Sequence, residues 1–165
     1  MKSKFVVFKK YVKIFLFHNF NFVNFISDVC NSGFAGAGGI IFDPGGNIVS
    51  SYAWGLGLKT NNEAKWLTLF FGLKSDKQPK ITKIIFLGYY KQVIHKMMNG
   101  YNKVSVKIWR IYEWIRQASI NVQTTFYHIL RGNNIEADKL ANQGAKLKMG
   151  LSEVNGNLKN TSYVP

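Results

Sequence analysis

The sequence predicts one α/β domain in which a mixed five-stranded sheet, three antiparallel strands followed by two more, is flanked by helices. Two observations predict it. The chain has 165 residues, enough for one compact domain, and 47% of them are hydrophobic, enough for a sizeable core. The hydrophobic period also alternates between about two residues and about 3.6, in the order strand, strand, strand, helix, strand, helix, helix, strand, helix.

The first three predicted strands form an antiparallel meander. FNFVNFIS (20–27) is aromatic and β-branched with rough alternation, and Asp28 ends this strand. GAGGIIFD (36–43) and IVSSYAWGLGL (48–58) are separated by PGGN, which is typical of a hairpin turn. In the full order of elements, the first strand is expected to lie near the centre of the sheet.

The hydrophobic pattern becomes helical at Thr60-Asn61, either of which is a natural N-cap. Ala64, Leu67 and Phe71 then fall on one helical stripe. The remaining predicted elements are a strand over 80–88, a short helix over 89–100, an amphipathic helix over 104–119, a strand over 120–130 and a helix over 133–150, whose inward residues would include Ile135, Leu140 and Ala141.

The two ends of the chain are predicted to lie outside this domain. Residues 1–19 form a basic and aromatic extension that we expect to be poorly ordered, residues 20–150 form the domain, and residues 151–165 form a polar tail. Lysines interrupt the apolar part of the extension, unlike in a signal peptide, and no apolar run reaches the roughly 18 residues that span a bilayer. A basic, aromatic segment is also typical of membrane surfaces, so a membrane-surface or interaction protein is kept as an alternative.

The charge of the chain predicts a polyanionic partner. Lys and Arg number 22 against 8 Asp and Glu, a formal net charge of +14, which favours nucleic acid or an anionic surface. Cys30 is the single cysteine, so no internal disulfide can form. We expect an intracellular monomer, nuclear or cytoplasmic and not secreted.

Three motifs make most of the chain resemble a known family. GAGGIIFDPGGN, AWGLGLKTNNEA and FYHILRGNNIEADKLAN occur in order on the expected elements. With them, residues 22 to about 148 resemble the ribonuclease H family, and most closely the retroelement-derived ribonuclease H-like domains common in plant genomes. The resemblance implies a ribonuclease H-like fold and metal-dependent endonucleolytic cleavage of RNA in RNA–DNA hybrids, with four carboxylates holding two Mg²⁺ ions.

Two of the four acids that the resemblance implies are replaced in this chain. Asp28 and Asp138 match the first and fourth acids, and by resemblance they are the catalytic and metal-binding positions. Lys65 stands in TNNEAK where the family has TNNEAE, and Tyr89 stands in Gly-Tyr-Tyr where the family has Gly-Asp-Ser. Glu63 does not replace the missing acid, because residues two apart on a helix point about 200° apart.

The replacements change the charge of the implied site. It falls from −4 in the family to −1 here, with −1 from Asp28, +1 from Lys65, 0 from Tyr89 and −1 from Asp138. We therefore expect weak or absent Mg²⁺ binding and a pseudoenzyme whose cleavage is lost or strongly impaired. An active hybrid ribonuclease with a rearranged site, using Asp28, Asp138 and Glu136, is kept as an alternative.

In the ribonuclease H family, a basic region near the corresponding helices binds the DNA strand of the hybrid, and the resemblance implies the same for this chain. The alternative interpretation of such residues is a solvated helix face. His128, at the family's usual spacing before the last helix, is expected to be packed and satisfied. The candidate nucleic-acid-binding residues, for RNA–DNA hybrid or duplex, are Asn62, Lys91, Lys103, Lys107, Arg110, Arg131 and Asn134.

Overall fold

The computed structural model describes residues 22–76, 81–99 and 105–160, and it confirms the predicted α/β class. The predicted extension over 1–19 lies outside the described residues. The strands are β1 (Phe22–Asn31), β2 (Phe34–Phe42), β3 (Ile48–Leu58), β4 (Lys83–Gly88), β5 (Gln123–His128), β6 (Leu151–Val154) and β7 (Asn157–Asn160). The helices are α1 (Asn61–Asp76), α2 (Lys91–Asn99), α3 (Val106–Ala118) and α4 (Ile135–Ala145), and a 3₁₀ turn covers Arg131–Asn133.

The strands form one mixed sheet in the order β5-β4-β1-β2-β3-β6-β7. β1, β2 and β3 are antiparallel neighbours, as predicted, whereas β4 is parallel to β1 and β5 is parallel to β4. The described part of the chain thus has seven strands in this sheet, not the predicted five. Because β1, β4 and β5 are parallel, their carboxyl ends lie at the same edge of the sheet.

The two additional strands lie within residues 151–160, part of the segment that was predicted as a polar tail, and residues 161–165 lie outside the described part of the chain. β6 pairs with the edge of β3, with Val154 opposite Tyr52, and turns back into β7 through Asn155-Gly156. Asn155 and Gly156 have φ values of 52° and 82°, the backbone of a two-residue hairpin turn that favours Asn-Gly. The polar composition was misleading because an edge hairpin with exposed faces needs few apolar residues.

β1 continues beyond Asp28, where the sequence analysis ends it. The strand runs to Asn31 and pairs with β2 through a two-residue turn at Ser32-Gly33, whose φ values are 52° and 88°. Asp28 lies opposite Ala37 in this pairing. The acid therefore sits within a rigid strand rather than in a loop.

Helices cover both faces of the sheet. α1 packs against β1 with its predicted stripe of Ala64, Leu67 and Phe71 fully buried, and α3 packs against α1. α4 covers the opposite face, where it contacts β1, β2 and β3. Its buried residues are Ala137, Ala141 and Gly144, whereas Ile135 is exposed, contrary to the prediction. None of the described helices has the length and hydrophobicity needed to cross a bilayer.

Candidate functional site

The site lies at the carboxyl edge of the parallel strands, around Asp28. This residue is buried, with 6% of its surface exposed, and Tyr89 and Tyr90 reach its backbone from the end of the neighbouring strand β4. The hydroxyls of Tyr89 and Tyr90 donate to the carbonyl oxygen of Asp28 at 3.2 and 3.3 Å. The backbone N–H of Asp28 donates to the Tyr90 hydroxyl oxygen. The two tyrosines therefore join β1 to the end of β4 beyond the last ladder pair.

α4 brings the second acid to the same place. Asn134 precedes the helix, and its amide nitrogen donates to the carbonyl oxygen of Ile26 at 2.7 Å. One turn later, Asp138 accepts a hydrogen bond from the hydroxyl of Ser27 at 3.2 Å. Two consecutive residues of β1 thus hold the start of α4, which places Asp138 beside Asp28.

α1 directs Lys65, and not Glu63, toward Asp28. The Lys65 Nζ lies 6.0 Å from the centre of the Tyr90 ring, and its charge acts on the Asp28 carboxyl. Glu63 closes a capping box, in which the Thr60 N–H donates to its carboxylate at 2.9 Å and its own N–H donates to the Thr60 hydroxyl at 3.1 Å. The Glu63 carboxylate also lies 3.8 Å from the Nζ of Lys107 on α3. Its role at this position is structural.

Burial and neighbouring charges of both signs shift the pKa values of residues in the site. Burial raises the pKa of Asp28 to about 7; the Lys65 charge opposes this rise, and the Asp138 charge adds to it. Burial also raises the pKa of Tyr89, and the Asp28 charge acts in the same direction. Arg131 completes the group, since its guanidinium lies 4.0 Å from Asp138 and 5.4 Å from the centre of the Tyr89 ring. The structure thus brings together Asp28, Lys65, Tyr89 and Asp138.

The donor set does not fit two Mg²⁺ ions. Such a site needs several oxygen anions gathered in space. Asp28 and Asp138 supply carboxylates, but Lys65 and Tyr89 contribute an ammonium and a phenol. Across residues 22–76, 81–99 and 105–160, no three His, Cys, Asp or Glu side chains are grouped closely enough to hold a metal.

Most of the described candidates for nucleic-acid binding are exposed. Asn62 lies in the first turn of α1, Lys91 begins α2, Arg131 lies in the 3₁₀ turn, and Lys107 and Arg110 lie on α3. The candidate Lys103 falls outside the described residues.

Two other expectations need correction. Asn134 is only 2% exposed and its amide is bound to Ile26, so this side chain holds α4 against β1 and is not available at the surface. His128 is exposed at the end of β5, with its Nε2 3.2 Å from the carbonyl oxygen of Tyr89, whereas a packed position was predicted. It ends an edge strand, where one side of the ring faces solvent.

A groove of about 190 Å³ between α1 and α3 collects several of the exposed cations. Lys59, Lys107 and Arg110 line it, with Leu67 and Trp114 also contributing to its walls. The thiol of Cys30 donates to the carbonyl oxygen of Lys59 at 3.2 Å, so the groove begins close to the end of β1, two residues from Asp28. Lys59 is not among the binding residues predicted from the sequence, although its position directly before the helix N-cap is a readable signal.

Comparisons with known proteins agree with this architecture. A family model described as reverse transcriptase-like matches residues 25–144. The structure is similar to ribonuclease H1 from the halophilic archaeon Halobacterium salinarum NRC-1, with 20% sequence identity and a TM-score of 0.70 over 74% of this chain and 96% of that chain. It is also similar to the N-terminal ribonuclease H domain of rv2228c from Mycobacterium tuberculosis, with 20% identity and a TM-score of 0.71 over 76% and 94% of the two chains.

A third similar structure, LC11 ribonuclease H1, was solved in complex with an RNA/DNA hybrid. It has 20% identity and a TM-score of 0.70 over 75% of this chain and 96% of that chain. Curated protein sequences yield no significant match. At these identities, the similarities show that the fold is that of a type 1 ribonuclease H.

Proposed function

The chain belongs to the reverse transcriptase-like family, and from this membership we propose that it is a ribonuclease H-like domain that binds RNA–DNA hybrid or duplex nucleic acid and has lost most or all of the family's RNA cleavage. The observation that carries the proposal is the pairing of a basic groove with a site that has kept only two of its four acids. The groove supports binding, and the altered site argues against cleavage.

The charges of the groove between α1 and α3 support phosphate binding. Three cations line it, and one carboxylate, that of Glu63, opposes them. The Lys107 side chain is 82% exposed although it lies 3.8 Å from Glu63, so its ammonium can reach a phosphate in solvent. Contacts of this kind bind a polyanion with little dependence on base sequence and with strong dependence on salt.

The groove and the altered site lie close enough to contact one duplex. Lys59 is hydrogen-bonded to Cys30, and Cys30 follows Asp28 by two residues in β1. Lys91 follows Tyr90 directly at the start of α2, and Arg131 lies 4.0 Å from Asp138. We therefore propose that a duplex bound in the groove also approaches Asp28.

The proposed loss of cleavage depends on the donor set. In the two-metal mechanism, one ion activates the attacking water and the other stabilises the leaving oxygen, and carboxylates hold both. The Lys65 ammonium occupies the position of one of those carboxylates and repels a divalent cation. We therefore propose that Mg²⁺, the family's cofactor, binds weakly or not at all.

The alternative of an active rearranged site draws little support from α4. Glu136 lies 3.6 Å from the Nζ of Lys139, one turn further along the helix. Asp138, two residues after Glu136, is turned toward Ser27 on β1. The membrane-surface alternative rests on residues 1–19, which lie outside the described part of the chain.

Fluorescence anisotropy with a labelled RNA–DNA hybrid tests the binding proposal. The paired change Lys107→Ala and Arg110→Ala should weaken binding by roughly tenfold at low salt and reduce the slope of log affinity against log salt by about 2. The matched control is the pair Lys83→Ala and Lys159→Ala, which removes the same charge from the opposite end of β4 and from β7. Equal losses of affinity in the two paired variants would show that binding depends on net charge in general and not on the groove.

A further inference from the structure

The altered site has become electrically balanced within the protein. Asp28 and Asp138 contribute −2 and Lys65 and Arg131 contribute +2, a formal sum of 0 for these four side chains. Four carboxylates without metal would repel a nucleic-acid phosphate, so the phosphate could approach only after divalent ions had bound. The present set removes that repulsion.

The rings of Tyr89 and Tyr90 form an aromatic platform, and Lys65 and Arg131 each lie over one of the two rings. The rings of Tyr89 and Tyr90 are tilted against each other with their centres 4.3 Å apart. The Lys65 ammonium lies 6.0 Å from the centre of the Tyr90 ring, and the Arg131 guanidinium lies 5.4 Å from the centre of the Tyr89 ring. Hydrogen bonds from both tyrosine hydroxyls to the Asp28 carbonyl oxygen fix this platform to β1.

The two side chains also differ in how firmly they are held. Arg131 is exposed over 70% of its side chain and is 4.0 Å from Asp138, a distance at which a phosphate oxygen can compete for the guanidinium. Lys65 is half-buried on α1 and faces Asp28. A phosphate between them would meet one fixed and one adaptable cation.

We propose that Lys65 and Arg131 bind a backbone phosphate of the nucleic acid directly, so that the protein's own ammonium replaces the divalent ion as counter-ion and binding is independent of magnesium. The inference rests on the proposed function and adds to it the ion dependence of the central site. The residues of the site do not fit Mg²⁺, because Lys65 brings a positive charge that repels the metal. The same positive charge can balance a phosphate that binds beside Asp28.

The test compares hybrid binding in EDTA and in MgCl₂ at matched ionic strength. The native chain should bind no more tightly in MgCl₂ than in EDTA. Lys65→Met should weaken binding by roughly fivefold and lower the salt slope by about 1, and Lys65→Arg should retain most of the affinity. The paired change Lys65→Glu and Tyr89→Asp should bind more weakly in EDTA than in MgCl₂, because the added carboxylates repel phosphate until a metal binds.

Two results would overturn the inference while leaving the proposed function intact. These are tighter binding of the native chain in MgCl₂ than in EDTA, or Lys65→Met with native affinity and salt slope while the Lys107 and Arg110 pair is impaired. No binding by the native chain in a folded sample would overturn the proposed function and this inference with it. If Lys65→Met does not fold by circular dichroism, the native ion comparison and Lys65→Arg decide the question.

Discussion

The hydroxyl of Ser27 lies 3.2 Å from a carboxylate oxygen of Asp138 and donates a hydrogen bond to it, across 111 residues of sequence. The neighbouring residue of β1, Ile26, accepts a second hydrogen bond from Asn134. These hydrogen bonds within the chain position Asp138 without any metal. The proposed loss of acids at positions 65 and 89 is therefore compatible with a framework that still aligns Asp28 and Asp138.

This framework depends on close approach of α4 to the sheet, and Gly38→Ala should disrupt it. A Cβ at Gly38 would lie 2.3 Å from the backbone nitrogen of Ala141 and 2.6 Å from the carbonyl carbon of Leu140, so the helix would have to move. We expect a loss of about 3 kcal/mol in the free energy of unfolding, measured by urea denaturation. Gly132→Ala is the control, since a Cβ there meets nothing within 4 Å. Equal stability of the two variants would contradict this account of the packing.

Asp28 should make the protein less stable as the pH rises. Its pKa is about 7 in the folded chain, because burial raises it from 3.8. Between these values the folded state holds a proton that the unfolded state has released, so stability falls from about pH 4 to about pH 7 and then levels off. Lys65, Asp138, Arg131 and Tyr89 are the charged or titratable groups that act with it.

Asp28→Asn removes this titration. At about pH 8 the variant should exceed the native chain in free energy of unfolding by on the order of a few kcal/mol, and the difference should shrink toward about pH 4. Urea denaturation at several pH values measures it. Glu153→Gln, which removes a carboxyl on β6 remote from the site, reports the effect of losing any carboxyl. A native chain as stable as Asp28→Asn at about pH 8 would be incompatible with a costly buried carboxylate.

The order of the main elements could be predicted from the sequence because each has a clear hydrophobic period. The buried stripe of Ala64, Leu67 and Phe71 on α1 illustrates this. The β6–β7 hairpin could not be predicted in this way, since all four residues of β7 are exposed and carry no apolar pattern. Its one local signal is Asn155-Gly156, and a turn signal between polar segments is weak on its own.

The candidate site was predictable only in part. The resemblance to the ribonuclease H family indicated Asp28, Lys65, Tyr89 and Asp138, which the structure places together. It could not reveal that the Asn134 amide turns inward to Ile26, because that contact depends on the packing of α4 against β1. Nor could it identify Tyr90 as a partner of Asp28, since adjacent residues after a strand point in directions that only the tertiary structure fixes.

The capping box formed by Thr60 and Glu63 should stabilise the start of α1. Thr60→Ala removes the hydroxyl that accepts the Glu63 N–H, and it should lower the free energy of unfolding by about 1 kcal/mol. Thermal unfolding at constant pH measures the change. Thr82→Ala, at an exposed threonine outside any helix start, is the control and should change stability by less than about 0.5 kcal/mol. A Thr60→Ala variant as stable as this control would argue against the cap.

Restoring the acids should restore metal binding. The paired change Lys65→Glu and Tyr89→Asp gives all four positions a carboxylate and returns their formal charge to −4, so it should raise Mg²⁺ affinity as measured by isothermal titration calorimetry. Either change alone should do much less, because one metal would still lack a ligand. Mg²⁺ binding by the paired variant no tighter than by the native chain would show that these positions do not form the family's metal site.

The central claim, that replacement of two acids has removed the two-metal site, is tested most directly by incubating the native chain with a labelled RNA–DNA hybrid and MgCl₂ and following cleavage of the RNA strand. The account predicts little or no magnesium-dependent cleavage by the native chain, and some recovery in the variant that combines Lys65→Glu with Tyr89→Asp. Robust cleavage by the native chain that Asp28→Asn abolishes would contradict it, because the site would then be catalytic with a lysine and a tyrosine in place of two acids.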